Sequence, residues 1–456
     1  MHRTPATDFS VSEKTDLDFL CEFLRFRSVS TKPDHAPETR ACADWLCRLL
    51  ASNGFDAELA DTGGHPAVLA RGPEQPGKPT VLIYGHYDVQ PEDPAGEWTT
   101  PAFEPVIRNR RVFARGATDN KGQILAHVLG AIHLLREEGS LPVNLIFLIE
   151  GEEEVGSTNL DDFIRARRSE LRCDIIAVSD TGMVAENYPT LTQSLRGIAA
   201  MEIILRGPST DLHSGMFGGA VVNPATALVG MLAKLHDHHG RVAVPGFYDD
   251  VVPPDASERA ALAKLPVADS DYLRETGAPA LGGEEGFSAI ERIGLRPTAE
   301  INGLTSGYQG AGTKTVLPAT ASAKLTFRLV PNQKPDRVLN LVEIHLQNLL
   351  PRGVEMDVVR GHGGMPYIVD AKSPWTAAAL RALTETFGRE PALVREGGSI
   401  PIVQSFRELL GTDTLLLGLA APDCKAHAPD ENFPIESFEA GIRLHRALLK
   451  ELAASY

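Results

Sequence analysis

The 456-residue sequence has only five cysteines, Cys21, Cys42, Cys47, Cys173 and Cys424, and no pair at C-x-x-C spacing. An odd, scattered set argues against a disulfide scaffold and a structural zinc cluster, and fits a reducing compartment. Cys42 and Cys47 fall in a helical pattern, as packing residues. The opening stretch MHRTPATDFSVSEKTDLDF lacks the apolar core of a secretory signal. No apolar run exceeds about 10 residues, against the ~20 that span a bilayer. The expectation is a cytoplasmic protein with no membrane partner. Basic residues are outnumbered, 44 Lys and Arg against 60 Asp and Glu, giving a net charge of −16. That balance argues against nucleic acid as a partner, because phosphate binding needs clustered cations. There is no internal repeat, no low-complexity tract and no G-x-S-x-G elbow, which speaks against a Ser-His-Asp hydrolase.

What is present is a soluble, two-domain composition: 43% hydrophobic and 23% charged residues in a chain too long for one core of roughly 250–300 residues. Residues 16–27 and 38–52 read as amphipathic helices, the second stopped by Asn53-Gly54. The runs 68–72, 80–86, 143–150 and 174–180 read as strands, mostly apolar throughout, as strands buried on both faces are. A short strand near 111–114 and a helix over 120–138 lie between them. Strands alternating with helices predict an α/β sheet, partly parallel. After about residue 190 the pattern changes. Residues 199–207 and 321–330 alternate like half-exposed antiparallel strands, with a helix at 223–237 between them. Residues 241–298 show little period. Residues 414–420 restore a buried strand. The reading is therefore a discontinuous first domain, 1–190 and 371–456, with an α+β domain, 191–370, inserted into it.

Ligands of α/β sheets bind beyond the carboxyl ends of strands. His86 and Asp88 follow one buried strand, Glu150 to Glu154 another, and Asp180 a third. Asp119 follows the short strand before residue 115, and His427 follows the strand 414–420. Singly, such residues are mostly loop residues, and an acidic run is mostly a solvated face. Together they carry more weight. Asp119, Glu154 and Asp180 in one shared site would repel unless protonated or bound to a cation. Two divalent ions would neutralise them. Imidazole and carboxylate ligands suit zinc, with manganese and cobalt as alternatives. Two ions about 3.5–4 Å apart activate water and polarise a carbonyl. A free carboxylate must take the proton. Ligand and base can then be neighbours, with Glu154 bound and Glu153 free.

The motifs GHYDVQP (85–91), RGATDNKG (115–122), EGEEEVGS (150–157), SDTG (179–182), DLHSGMFGG (211–219), RLVPN (328–332), GHGG (361–364) and EGGSIP (396–401) together resemble the M20 metallopeptidase family, in its carnosinase and cytosolic non-specific dipeptidase branch. The resemblance covers nearly the whole chain. It implies a mixed-sheet α/β zinc-peptidase catalytic domain with an inserted α+β lid and dimerisation domain. It implies His86, Asp119, Glu154, Asp180 and His427 as ligands of two divalent ions, with Asp119 bridging. Glu153 matches the general base, and Asp88 the carboxylate that orients His86. His213 matches a histidine that reaches the partner subunit's site and stabilises an oxyanion. Arg328 matches an arginine that grips the substrate's C-terminal carboxylate. Thr315, His362 and Ser399 match further substrate contacts. The implied activity is hydrolysis of a small peptide, a dipeptide, by a homodimer joined through the inserted domain. N-acyl-amino-acid deacylation or carbamoyl hydrolysis is the nearest alternative, and a non-catalytic metal-binding protein on the same fold is another. Two features are set aside: His236, His238 and His239 as a solvated helix end, and Gly310 to Thr315 as a phosphate loop with the wrong spacing.

Overall fold

The structure is a computed structural model and describes residues 14–398 and 400–456. The chain forms two compact units. One comprises residues up to Gln193, Val369–Val394 and Ser405–Tyr456; the other comprises Ser194–Ile368 and Arg395–Gln404. The segment 395–404, expected in the first domain, therefore packs with the second unit. Arg196 holds it there: its backbone N–H donates to Gly398 O at 3.1 Å and its Nε to Gly397 O at 3.1 Å. Gly294 also lies so close to the Arg395 backbone that a Cβ would meet it at 2.3 Å.

The first unit is a mixed α/β structure. Its central sheet runs in the order Asp56–Ala60, Ala67–Arg71, Asn144–Glu150, Thr80–His86, Ile175–Gly182, Thr414–Ala420, Thr190–Leu195. The inner strands Asn144–Glu150, Thr80–His86, Ile175–Gly182 and Thr414–Ala420 pair in parallel, and the outer ones are antiparallel. Their uninterrupted apolar character follows from burial on both faces. Val81 and Ile83 join the main core, and Tyr84, on the opposite face, meets Phe406 edge-on with ring centroids 5.2 Å apart. On the core face lies the helix Lys121–Glu138, buried at every position from Lys121 to Ala131. It is pressed between the sheet and the helix Ile435–Ala454, and it ends at Gly139 with φ +73°. The helix Ala36–Ser52 stops at Asn53 with Gly54 at φ +92°, where only glycine is unstrained.

One strand differs from the expectation. Arg111–Phe113 belongs to a separate three-stranded sheet with Val106–Arg108 and Asn432–Pro434, because Val112 pairs with Phe433. Asp119 is thus delivered by a turn into a helix, not by a central strand.

The second unit has a four-stranded antiparallel sheet in the order Thr298–Ser306, Thr320–Leu329, Gly197–Arg206, Glu355–Gly364. Gly197–Arg206 and Thr320–Leu329 alternate buried and less buried residues, the period of a half-covered sheet. The helices Pro224–Leu232 and Pro335–Leu349 cover the buried face. The first of these stops five residues short of the expected 237, and His236 instead bridges to Val242. The stretch 241–298 holds three short helices, Ala256–Leu262, Asp269–Thr276 and Ala289–Leu295. Helices of seven or eight residues are too short to establish a hydrophobic period.

Candidate metal centre

Four central-sheet strands and one helix turn bring the chemistry together in the first unit. His86 ends Thr80–His86 and sits in register with Glu150, the end of its neighbour. Glu153 and Glu154 open the 3-10 turn Glu153–Val155 just beyond. Asp180 lies within Ile175–Gly182 rather than after it. Asp119 precedes the helix Lys121–Glu138. His427 lies in the loop after Thr414–Ala420, with φ +60°.

Two groups of three share one carboxylate. His86, Asp119 and Asp180 offer atoms within 4.8 Å of one another, and so do Asp119, Glu154 and His427. Asp119 faces both histidines: Oδ1 lies 3.2 Å from His86 Nε2 and Oδ2 lies 2.8 Å from His427 Nε2. His86 Nε2 is 3.7 Å from Asp180 Oδ2, and His427 Nε2 is 3.4 Å from Glu154 Oε2. The other His86 nitrogen, Nδ1, is 3.1 Å from Asp88 O and 3.3 Å from Asp88 Oδ1. Facing only acceptors, Nδ1 carries the proton of the neutral ring, whose Nε2 lone pair then points at carboxylates. His86 Nε2 and Glu154 Oε1 are buried without any hydrogen bond. A buried lone pair among carboxylate oxygens is a poor arrangement unless a cation lies between them, and this donor set fits divalent ions.

The electrostatics agree. Asp119 and Glu154 raise His427 to about 10. Burial alone would depress His86, yet Asp119, Asp180 and Asp88 outweigh it and lift it well above its ordinary value. Burial raises Asp180, and Asp119 adds to it. Burial also drives Glu153 well up; His86 opposes this, while Asp180, Asp119 and Glu154 reinforce it. The cluster holds more negative charge than two imidazoles neutralise.

Asp88, fully buried, does more than face His86. Its Oδ1 accepts from Glu153 N at 3.3 Å and its Oδ2 from Glu154 N at 3.1 Å and Ser30 Oγ at 2.7 Å. One carboxylate thereby fixes an imidazole and the turn bearing both glutamates. Sequence reasoning did not single out Asn120, Gln90 or Glu431. Asn120 Nδ2 donates to Asp180 Oδ1 at 2.8 Å and to Ser179 O at 2.6 Å, and its Oδ1 accepts from His86 N at 3.3 Å. Gln90 Nε2 donates to Glu154 Oε2 at 2.8 Å. Asn120 and Gln90 stand beside named motif residues, but nothing in a linear pattern distinguishes them from ordinary polar residues.

His213, Thr315, Arg328 and His362 lie in the second unit. His213 is exposed and pairs with Val316 in a two-residue ladder, one position from Thr315, whose carbonyl accepts from Ser214 N at 3.1 Å. His213 Nδ1 accepts from Gly215 N at 3.0 Å, so the neutral ring carries its proton on Nε2. Arg328 lies on Thr320–Leu329, opposite Ile198 on one side and Thr298 on the other. Arg196 was not nominated. Burial lowers it to about 10, and the nearby Arg328 charge adds to this. His362 is exposed at the irregularity between Arg360 and Gly363. Ser399 lies outside the described residues.

Comparison with known proteins places this geometry. The chain is 32% identical over 466 residues to the Cys-Gly metallodipeptidase dug1 of Schizosaccharomyces pombe, covering 98% of each chain. It is 31% identical over 393 residues to the Beta-Ala-His dipeptidase of Homo sapiens, covering 85% of this chain and 78% of that one. A solved M20 family metallo-carboxypeptidase from Sulfolobus solfataricus superposes with a TM-score of 0.84 at 33% identity, over 97% of this chain and 100% of the other. The profile of peptidase family M20/M25/M40 matches residues 82–451, so the chain belongs to that family.

Proposed function

We propose that this protein is a metal-dependent dipeptidase that hydrolyses the amide bond of small peptides carrying a free C-terminal carboxylate. The observation that carries the reading is Asp119, whose two oxygens face two separate histidine-carboxylate groups. His86, Asp119 and Asp180 would hold one ion, and Asp119, Glu154 and His427 would hold the other. Bound there, two divalent ions supply the Lewis acidity that polarises the scissile carbonyl and makes water acidic enough to ionise. Zinc is the proposed metal, with manganese or cobalt as alternatives, because the donors are imidazole and carboxylate without thiolate.

The chain's own residues do the rest. Glu153 takes a proton from water and passes it to the leaving amine. Asp88 keeps His86 in the tautomer whose Nε2 is free to bind. Arg328 grips the substrate's C-terminal carboxylate, the anion every dipeptide carries and a match for a bidentate guanidinium. His213 presents Nε2–H to the developing oxyanion, a role its tautomer supports. Thr315, His362 and Ser399 add contacts. The second unit serves as lid and as the surface of a homodimer in which His213 acts on the partner's site. All five cysteines are free, which supports a cytoplasmic location, and no helix among the described residues is long and apolar enough to cross a membrane.

The test is a substrate panel of dipeptides, N-acetyl and N-succinyl amino acids and longer peptides, run with metal analysis of the purified protein. Two equivalents of metal and a preference for dipeptides are expected. Glu153→Gln should keep both ions while turnover falls about 10²- to 10⁴-fold. Faster release from an N-acyl amino acid than from any dipeptide would overturn the substrate assignment. Unchanged turnover in Glu153→Gln would overturn the base.

A further inference from the structure

One buried ion pair lies beside the metal centre without belonging to it. Glu431 is 0% exposed and Arg115 is 1% exposed. Glu431 Oε2 accepts from Arg115 Nη1 at 2.8 Å and from Gly116 N at 2.9 Å. Its Oε1 accepts from Thr118 N at 2.9 Å and from Asp119 N at 3.0 Å. The backbone repeats the grip: Ala114 N donates to Glu431 O at 3.1 Å, and Thr118 Oγ1 donates to Asn432 O at 2.7 Å. Arg115 extends the hub further, with Nη2 donating to Pro91 O at 3.0 Å. Three loops distant in sequence therefore meet here: those carrying His86, Asp119 and His427.

Such a pair contributes little net stability over apolar residues of the same size, because both charges must leave water. Its value is geometric. The loop that carries His427 has turns of its own, with Ala428 N donating to Lys425 O at 3.0 Å and Asn432 N to Cys424 O at 2.9 Å, yet its backbone is strained. Lys425, His427 and Asp430 have φ of +57°, +60° and +60°, and none is glycine. Left-handed backbone costs roughly 1–2 kcal/mol per such residue and persists only where surrounding contacts impose it. Those contacts sit at the loop's C-terminal end, where Asp430 Oδ1 accepts from Thr99 N at 2.9 Å and its Oδ2 from Thr99 Oγ1 at 2.6 Å. Asn432 Nδ2 donates to Asp430 O at 3.1 Å and Cys424 O at 3.3 Å, and Glu431 locks the next residue to the Asp119 turn. His86 and Asp180 have separate supports in Asp88 and Asn120. Asp119 and His427 share this one.

We propose that Glu431, paired with Arg115, is the positioning residue that sets Asp119 and His427 in register and thereby determines affinity for the ion held by Asp119, Glu154 and His427. It touches neither ion nor substrate. The inference rests on the two-ion reading above.

The experiment titrates metal-free protein with Zn²⁺ by calorimetry, wild type beside Glu431→Gln. The glutamine amide would set an NH₂ group against backbone and guanidinium donors. Wild type should bind two equivalents. The variant should lose about 10- to 100-fold affinity for the ion that His427 helps to hold, and a clearly smaller factor for the other, which shares only Asp119 with it. Hydrogen exchange of the Gly116, Thr118 and Asp119 amides, measured without metal, should accelerate in the variant. Should Glu431→Gln not fold, Thr118→Val removes one bond at the same crossing and should weaken the same ion by a smaller factor. Equal weakening of both ions, or unchanged affinity for both, overturns the proposal. If wild type binds fewer than two ions, the two-ion reading and the affinity claim both fall. Amide exchange then still decides whether Glu431 orders the Asp119 turn, and unchanged protection overturns that as well.

Discussion

Glu150 shows how a single side chain near a charged site can weaken a fold. It is 2% exposed, and burial pushes its carboxyl up to about 7; the Tyr84 hydroxyl, 2.6 Å away, opposes this only partly. In the unfolded chain the same group titrates near 4.5. The folded state therefore prefers the protonated form. Its stabilising contribution is complete below pH 4.5 and is lost as pH rises through 7. The difference amounts to about 3 kcal/mol as an upper figure. Glutamine can accept the same bonds from Tyr84 Oη and Ser157 Oγ without the charge. Glu150→Gln should thus match wild type at about pH 4 and exceed it by up to about 3 kcal/mol at pH 9, read from urea unfolding of metal-free protein. Equal stabilities at pH 9 would show that Glu150 ionises there without cost. Nothing in the sequence marked Glu150 apart from its acidic neighbours. Both its partner, Tyr84, and its burial come from the adjacent strand.

Among whole elements, the helix Lys121–Glu138 sets the precision of the centre, since Asp119 and the N-cap Asn120 lead directly into it. Its opposite flank packs on Ile435–Ala454 at Gly130, where a Cβ would meet Ile442 O at 2.8 Å and His445 Cβ at 2.9 Å. The same interface buries His127 and His445, whose Nδ1 atoms lie 2.9 Å apart, while His127 Nε2 is 2.7 Å from Ser179 Oγ. Burial lowers His127 to about 4 and His445 well below its ordinary value, so both stay neutral in the folded protein. Gly130→Ala improves helix propensity by about 1 kcal/mol yet forces the two helices apart. The clash should win, lowering stability by about 1–3 kcal/mol in urea titration. A stabilised variant would mean the helix pair yields freely. The sequence located this helix to within a residue, because a buried helix of this length leaves a long apolar signature. Periodicity could not show that Gly130 is a contact, since a helix face acquires meaning only from its partner.

Taken as one molecule, the protein concentrates carboxylates that folding alone does not neutralise. Asp119, Glu153, Glu154 and Asp180 converge on two imidazoles. Chelating the ions should therefore abolish turnover and also lower the midpoint of thermal unfolding, since a ligand bound only to the folded state stabilises by mass action. Zn²⁺ or Mn²⁺ added back should restore both. Loss of activity without any change in melting temperature would mean the ions contribute nothing to the fold.

The order of residue types along the chain was enough to reveal an α/β protein, and its motifs were enough to mark a member of the M20 family. Strands buried on both faces, and histidine or acid near their ends, are local patterns that survive without coordinates. The sequence pointed to Asp119 through its motif, but attached it to a strand that pairs elsewhere. The affiliation of residues 395–404 and the support given by Asn120, Gln90 and Glu431 emerged only in three dimensions. The reason is physical. Hydrophobic period is written in neighbours a few positions apart, whereas a hydrogen bond from Asp119 to Glu431 joins groups more than three hundred residues apart. Only the folded backbone brings them within reach.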